Sequence, residues 1–155
     1  MLVIKRPANR LERVLVGADG SIESWEAVAW LKRLPEHIRP TVTVASVIPP
    51  LPLESLRVPS RALAVGNQVE GVLRREAQKL AARVAGMLRK AGFSAKEIVL
   101  SGPPGAELVT LAARERANLV VVGSRSGRSA QEYFMGSVAD TVVKHASCSV
   151  LVHRR

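Results

Sequence analysis

The run Val120-Val121-Val122-Gly123-Ser124-Arg125-Ser126-Gly127-Arg128, followed shortly by Met135-Gly136-Ser137-Val138, carries the residue types and spacing best suited to chemistry. A β-branched stretch stops abruptly at small and basic residues, and a Gly-Ser pair then opens an amphipathic segment. A buried strand that ends this way delivers backbone N–H groups and positive charge to an anion, and a helix N-terminus completes the cradle. Phosphate is the expected ligand class. A second strand end, Gly17-Ala18-Asp19-Gly20-Ser21, offers a carboxylate able to accept hydrogen bonds from a sugar or base.

The two loops can share a ligand only if the strands before them are neighbours. Arg13 to Gly17 reads as a short buried strand. Ile22 to Leu34 has Trp25, Val28, Ala29 and Leu31 at helical spacing, with Ser21 as N-cap and Pro35 as stop. Thr41 to Ile48 is a second strand. The prolines from Pro49 to Pro59 predict an irregular surface connection lasting to about Asn67. Val69, Leu73, Leu80, Val84, Met87 and Leu88 then predict a long amphipathic helix from Val69 to Ala91, capped by Gly92. A third strand at Ala95 to Leu100 is followed by a helix from Ala106 to about Arg116 with Leu108, Leu111 and Ala112 inward. Asn118 to Val122, Val138 to His145 and Ser149 to Val152 read as strand, helix and strand.

Continuous apolar strands separated by helices imply an α/β domain with a parallel sheet covered on both faces. That domain is expected over residues 12–155, preceded by a disordered basic arm at residues 1–11. In such a sheet, ligands bind beyond the carboxyl ends of the strands, where strand order reverses. This is where the two loops would face each other.

Composition narrows the function. The chain has 155 residues, enough for one core, and is 47% hydrophobic but only 3% aromatic, so that core rests on Val, Leu, Ile and Ala. The net charge of +10 invites polyanions, but Arg74, Arg75, Lys79, Arg83, Arg89 and Lys90 are spread along a helix and aromatics for base stacking are scarce. A dedicated nucleic-acid site is not expected. The single cysteine, Cys148, reads as a buried hydrophobe and suits a reducing compartment. Nothing approaches the ~20 apolar residues of a membrane helix, and the N-terminus lacks a secretory h-region. A soluble cytoplasmic protein is expected.

Each feature of the expected site also has a purely structural reading. Asp19-Gly20-Ser21 could be an ordinary turn with a helix cap. Ser137 with Asp140 fits a capping box. Gly123 and Gly136 could serve backbone conformation, and Arg125 and Arg128 could face solvent. Other signatures fail: the chain has no G-x-x-x-x-G-K-[ST] and no G-x-G-x-x-G, and Arg125 stands where a nucleophile elbow needs serine. His37, His145 and His153 are dispersed, which gives no metal-ligand spacing.

Three stretches resemble the universal stress protein family: Val14 to Ser21, Ser101 to Leu108, and Val120 to Val152 with Ala146-Ser147-Cys148-Ser149-Val150-Leu151-Val152. The ATP-binding branch of that family carries G-x2-G-x9-G-[ST]. Gly123 and Gly136-Ser137 match its ends, while Ser126 stands at the second glycine, with Gly127 next. That departure bears on nucleotide affinity and not on the fold. The resemblance implies an open five-stranded parallel sheet of order 3-2-1-4-5, Rossmann-like, with helices on both faces. It implies a stress-response sensor or switch that binds ATP, or ADP or AMP, with Mg accompanying ATP. Adenine and ribose would lie against Gly17, Ala18, Asp19, Val47 and Val122. Phosphates would meet Gly123, Arg125, Ser126, Gly127, Gly136, Ser137 and Val138. A homodimer through the last strand, Ser149, Val150, Leu151 and Val152, is also implied. The rival readings are a nucleotide-independent dimeric interaction protein of the same fold and a slow ATPase using Ser124, Ser126 and Ser137.

Overall fold

Val14, Leu15 and Val16 have no polar side chain to present to water on either face, and all three are buried at the centre of a six-stranded sheet. The structure is a computed structural model that describes residues 1–5, 10–50, 60–124 and 136–154. Its elements are β1 (Leu2–Val3), β2 (Arg13–Gly17), α1 (Ile22–Leu31), β3 (Thr41–Ile48), α2 (Ser60–Lys90), β4 (Ala95–Ser101), α3 (Pro104–Arg114), β5 (Leu119–Gly123), α4 (Ser137–His145) and β6 (Ser149–His153).

The sheet order is β1-β6-β5-β2-β3-β4. The strands β6, β5, β2, β3 and β4 are parallel and follow the expected order. β1 is the addition: it pairs antiparallel with β6, Leu2 opposite Leu151 and Val3 opposite Val150. The expectation of a disordered arm is therefore corrected for its first residues, which form an edge strand.

Alternation along each strand sorts the core into two layers. Val14, Val16, Val121 and Leu151 pack with Ala27, Val28 and Leu31 of α1 and Ala81, Val84, Ala85 and Leu88 of α2. Leu15, Val120, Val122, Val150 and Val152 pack with Leu108 and Leu111 of α3 and Ala139 and Val142 of α4. Each fully buried Val or Leu contributes about 1.5–3 kcal/mol, so a core almost free of aromatics can hold the sheet. Cys148 belongs to the second layer, and burial pushes its thiol up from the ordinary value.

Helix α2 departs from expectation at its start. The helix runs back to Ser60, directly after Pro59, where an irregular connection to Asn67 was expected; residues 51–59 of that connection lie outside the described residues. Its expected apolar stripe is also unevenly used: Val69 is exposed, Leu73, Leu80 and Met87 are half-buried, and Val84 and Leu88 are buried. Gly92, at φ +87°, ends the helix as expected, and the Phe93 N–H reaches back to the Leu88 carbonyl at 3.0 Å.

Candidate functional site

β2 and β5 are hydrogen-bonded neighbours, with Val14 opposite Leu119 and Val16 opposite Val121. Chain order reverses between them, so their carboxyl ends open one crevice. A cleft of about 260 Å³ lies there. Of the residues named above for a ligand, Gly17, Ala18, Asp19, Val47, Val122, Gly123, Gly136, Ser137 and Val138 line it. Arg125, Ser126 and Gly127 fall outside the described residues. Four further residues line the cleft: Ala45, Pro104, Leu108 and Ala139.

The two sides of the cleft differ in chemistry. On the β2 side, Asp19 organises the turn into α1. Its Oδ1 accepts from the Ser21 N–H at 3.0 Å and from the Ser21 hydroxyl at 2.6 Å. Ser21 Oγ in turn accepts from the Ser24 N–H at 3.2 Å and caps α1 as expected. The structural reading of this turn is therefore correct, and it coexists with a place on the cleft wall.

On the β5 side, Gly123 is required by close approach. A Cβ there would lie 2.6 Å from the backbone nitrogen of Ser24 and 2.9 Å from the carbonyl carbon of Glu23. The end of β5 thus abuts the first turn of α1. Ser124 follows, fully buried, its N–H donating to the His153 carbonyl at 2.7 Å. Its hydroxyl faces the Gly136 N–H at 3.5 Å, bracing the strand end against the start of α4. Ser124 is not on the cleft wall.

The start of α4 departs from the expected capping box. Gly136 is the N-cap, with no side chain to accept a hydrogen bond, and Ser137 is already the first helical residue. Asp140 instead pairs with Lys144 at 2.8 Å, one turn on. The first N–H groups of a helix have no intrahelical acceptor, and here Ser137, Val138 and Ala139 line the cleft. The positive end of the helix dipole therefore faces the cavity.

Between these sides the wall is apolar: Ala45 and Val47 from β3, Leu108 from α3 and Val122 from β5. Gly17 forms the floor, where a Cβ would sit 3.0 Å from Leu108 Cδ1 and 3.1 Å from Val122 Cγ1. Such a cleft can hold a flat apolar ring in its middle, an anion at α4 and a hydroxyl donor at Asp19. Among the described residues, no group of three His, Cys, Asp or Glu side chains is placed to hold a metal ion. None of the described helices is long and apolar enough to cross a membrane.

The profile of the universal stress protein family matches residues 10–154. The chain belongs to this family. Universal stress protein MJ0531 of Methanocaldococcus jannaschii is 26% identical over 153 residues, covering 99% of this chain and 88% of that protein. The solved structure of MJ0577, from the same organism, superposes with a TM-score of 0.79 at 25% identity, over 94% of this chain and 96% of that one. A universal stress protein solved in complex with cAMP superposes with a TM-score of 0.58 at 26% identity, over 92% of this chain and 95% of that one. This universal stress protein thus shares the fold of its relatives along nearly its whole length.

Proposed function

We propose that this universal stress protein binds an adenine nucleotide in the β2–β5 cleft and acts as a cytoplasmic stress-response sensor or switch. ATP is the leading ligand, accompanied by Mg²⁺, with ADP and AMP as the alternatives. The carrying observation is the conjunction at the switch point of an apolar wall, an acceptor at Asp19 and the α4 N-terminus, whose N-cap Gly136 has no side chain. A relative solved with cAMP supports the same ligand class.

In this reading the adenine ring packs between Val47, Leu108 and Val122, above Gly17 and Ala18. Asp19 accepts from ribose hydroxyls. Its negative charge disfavours phosphate at that end and so orients the ligand. The phosphates meet the N–H groups of Ser137 and Val138 beside Gly123 and Gly136, with Arg125, Ser126 and Gly127 contributing from the 125–135 segment. The net charge of +10 helps draw a polyanionic ligand in from solution. Calorimetric titration with ATP, ADP and AMP tests the proposal. Saturable binding of one nucleotide per chain supports it, and no binding of any of the three at millimolar concentration rejects it.

A further inference from the structure

Ser124 is polar and fully buried, yet it is absent from the cleft wall. Its N–H donates to the His153 carbonyl at 2.7 Å, which fixes it to the end of β6. Gly123 before it lies so close to α1 that a Cβ would sit 2.6 Å from the Ser24 nitrogen. Ser124 is therefore held by β6 on one side and by a strand end wedged against α1 on the other. A buried hydroxyl needs a partner, and the Ser124 oxygen faces the N–H of Gly136 at 3.5 Å.

The start of α4 lacks the usual means of fixing itself. In a capping box the third helical residue accepts from the N-cap N–H; here that residue is Ala139, whose methyl cannot accept. Gly136 has no side chain to cap with either. Among the described residues, Ser124 is the one side chain that accepts from a backbone N–H at this helix start. Further along, α4 is set against α3 by close approach, since a Cβ on Gly105 would lie 2.7 Å from the Thr141 Cβ. Thus α3 holds the middle of α4, and Ser124 holds its beginning.

We propose that Ser124 is a positioning residue for the phosphate end of the cleft, which it serves without touching the nucleotide. The inference rests on the nucleotide reading and adds which residue makes that site selective for phosphate. Accepting from the Gly136 N–H turns that donor away from the anion, so the phosphates are read by the N–H groups of Ser137, Val138 and Ala139. The same contact ties the helix start to the sheet, so those three groups keep one aim. Donors already ordered bind an anion without the cost of ordering them. The adenine end rests on Ala45, Val47, Leu108 and Val122, whose side chains have no part in this contact. Loss of the Ser124 hydroxyl therefore separates phosphate binding from adenosine binding.

The test compares the parent chain with Ser124→Ala, which removes the hydroxyl and adds no bulk. Both are titrated with ATP by calorimetry and with adenosine by amide chemical shifts. Hydrogen exchange at the Gly136 amide is followed without nucleotide, and melting temperatures within roughly 4 °C show that the fold is kept. The expected result is Gly136 exchange about tenfold faster in the variant, ATP binding weakened about five- to tenfold, and adenosine binding within about twofold of the parent. Equal losses for ATP and adenosine give Ser124 a purely structural role and overturn the proposal. Unchanged ATP affinity, or unchanged exchange at Gly136, overturns it as well. A parent chain that binds neither ligand at millimolar concentration overturns the nucleotide reading itself, and this inference with it. Should the variant fail to fold, exchange at Gly136 in the parent decides: ATP slows it and adenosine leaves it unchanged, and any other result overturns the proposal.

Discussion

The two ends of the parallel sheet each hold a cavity, and the two linings differ in chemistry. At the amino-terminal end of the strands, a cavity of about 350 Å³ is lined by Glu12, Arg13, Thr41, Thr43, Lys96 and Glu115, among others. Its polar groups answer one another. Lys96 Nζ donates to Glu115 Oε2 at 2.6 Å, the Thr43 hydroxyl faces the same oxygen at 3.5 Å, and Arg13 Nε donates to the Arg116 carbonyl at 3.1 Å. The Asn118 side-chain carbonyl accepts from the N–H groups of both Glu12 and Arg13. At the carboxyl end, the cleft of about 260 Å³ has an apolar wall and a helix start whose N-cap, Gly136, has no side chain. The two ends thus differ in lining: polar groups paired with one another at one, and an apolar wall beside a helix start at the other.

The largest expected effect that separates the two ends comes from Gly123→Val. The added side chain collides with the backbone of Glu23 and Ser24, so β5 and α1 must separate. Denaturant unfolding should show a loss of about 1–3 kcal/mol, with nucleotide binding abolished. Gly17→Val is next. Its Cβ meets the flexible ends of Leu108 and Val122, so stability should fall by about 1 kcal/mol while titration shows binding weakened at least about tenfold, because the floor of the cleft is filled.

Ser137→Pro sharpens the comparison most cleanly. Proline is tolerated at the first position of a helix, and Gly136 before it has φ −54° and ψ 147°, the extended conformation that precedes proline. Melting should be unchanged. Loss of one N–H facing an anion should cost about 1.5 kcal/mol of binding, or about tenfold, by calorimetry.

The smallest effect belongs to Lys96→Met at the opposite end. The hydrogen bond from Lys96 holds the Glu115 carboxyl below its ordinary value, against a smaller opposing effect of burial. A depressed carboxylate contributes stability above its unfolded pKa and loses it as pH falls through the folded value. The variant should therefore melt slightly lower than the parent at neutral pH, by less than about 4 °C, and the difference should close in acid. Its nucleotide affinity should be unchanged.

The parallel core of this fold is legible in the sequence because Val14 to Val16 and Val120 to Val122 are continuous apolar runs too short for helices, and Thr41 to Ile48 is rich in β-branched residues. The order of those strands is what the family resemblance implied. β1 was not legible: two residues carry no periodicity, and their partner strand lies at the other end of the chain. The early start of α2 was hidden by the prolines up to Pro59, which mark irregular backbone before them and impose nothing on Ser60 onward. In the site, Gly17, Asp19 and Gly123 stood out as small or polar residues after apolar strands, and Gly136 as part of the Gly-Ser pair that opens an amphipathic helix. Leu108 and Ala139 did not, since an inward apolar residue on a helix looks the same whether it faces the core or an open cleft. The helix spacing identified Leu108 as buried, and only the fold shows that it also forms the cleft wall. Ser137 misled for a related reason: the capping-box spacing with Asp140 is real, but Gly136 takes the cap position and Asp140 turns to Lys144.

The most direct test of the central claim is an amide nitrogen–proton correlation spectrum followed through a titration with AMP and then ATP. The account predicts saturable shifts at Gly17, Ala18, Ser137, Val138 and Ala139, larger for ATP at the α4 start, with Thr43, Lys96 and Glu115 unmoved. Shifts confined to the Thr43, Lys96 and Glu115 end, or none at millimolar nucleotide, would contradict it.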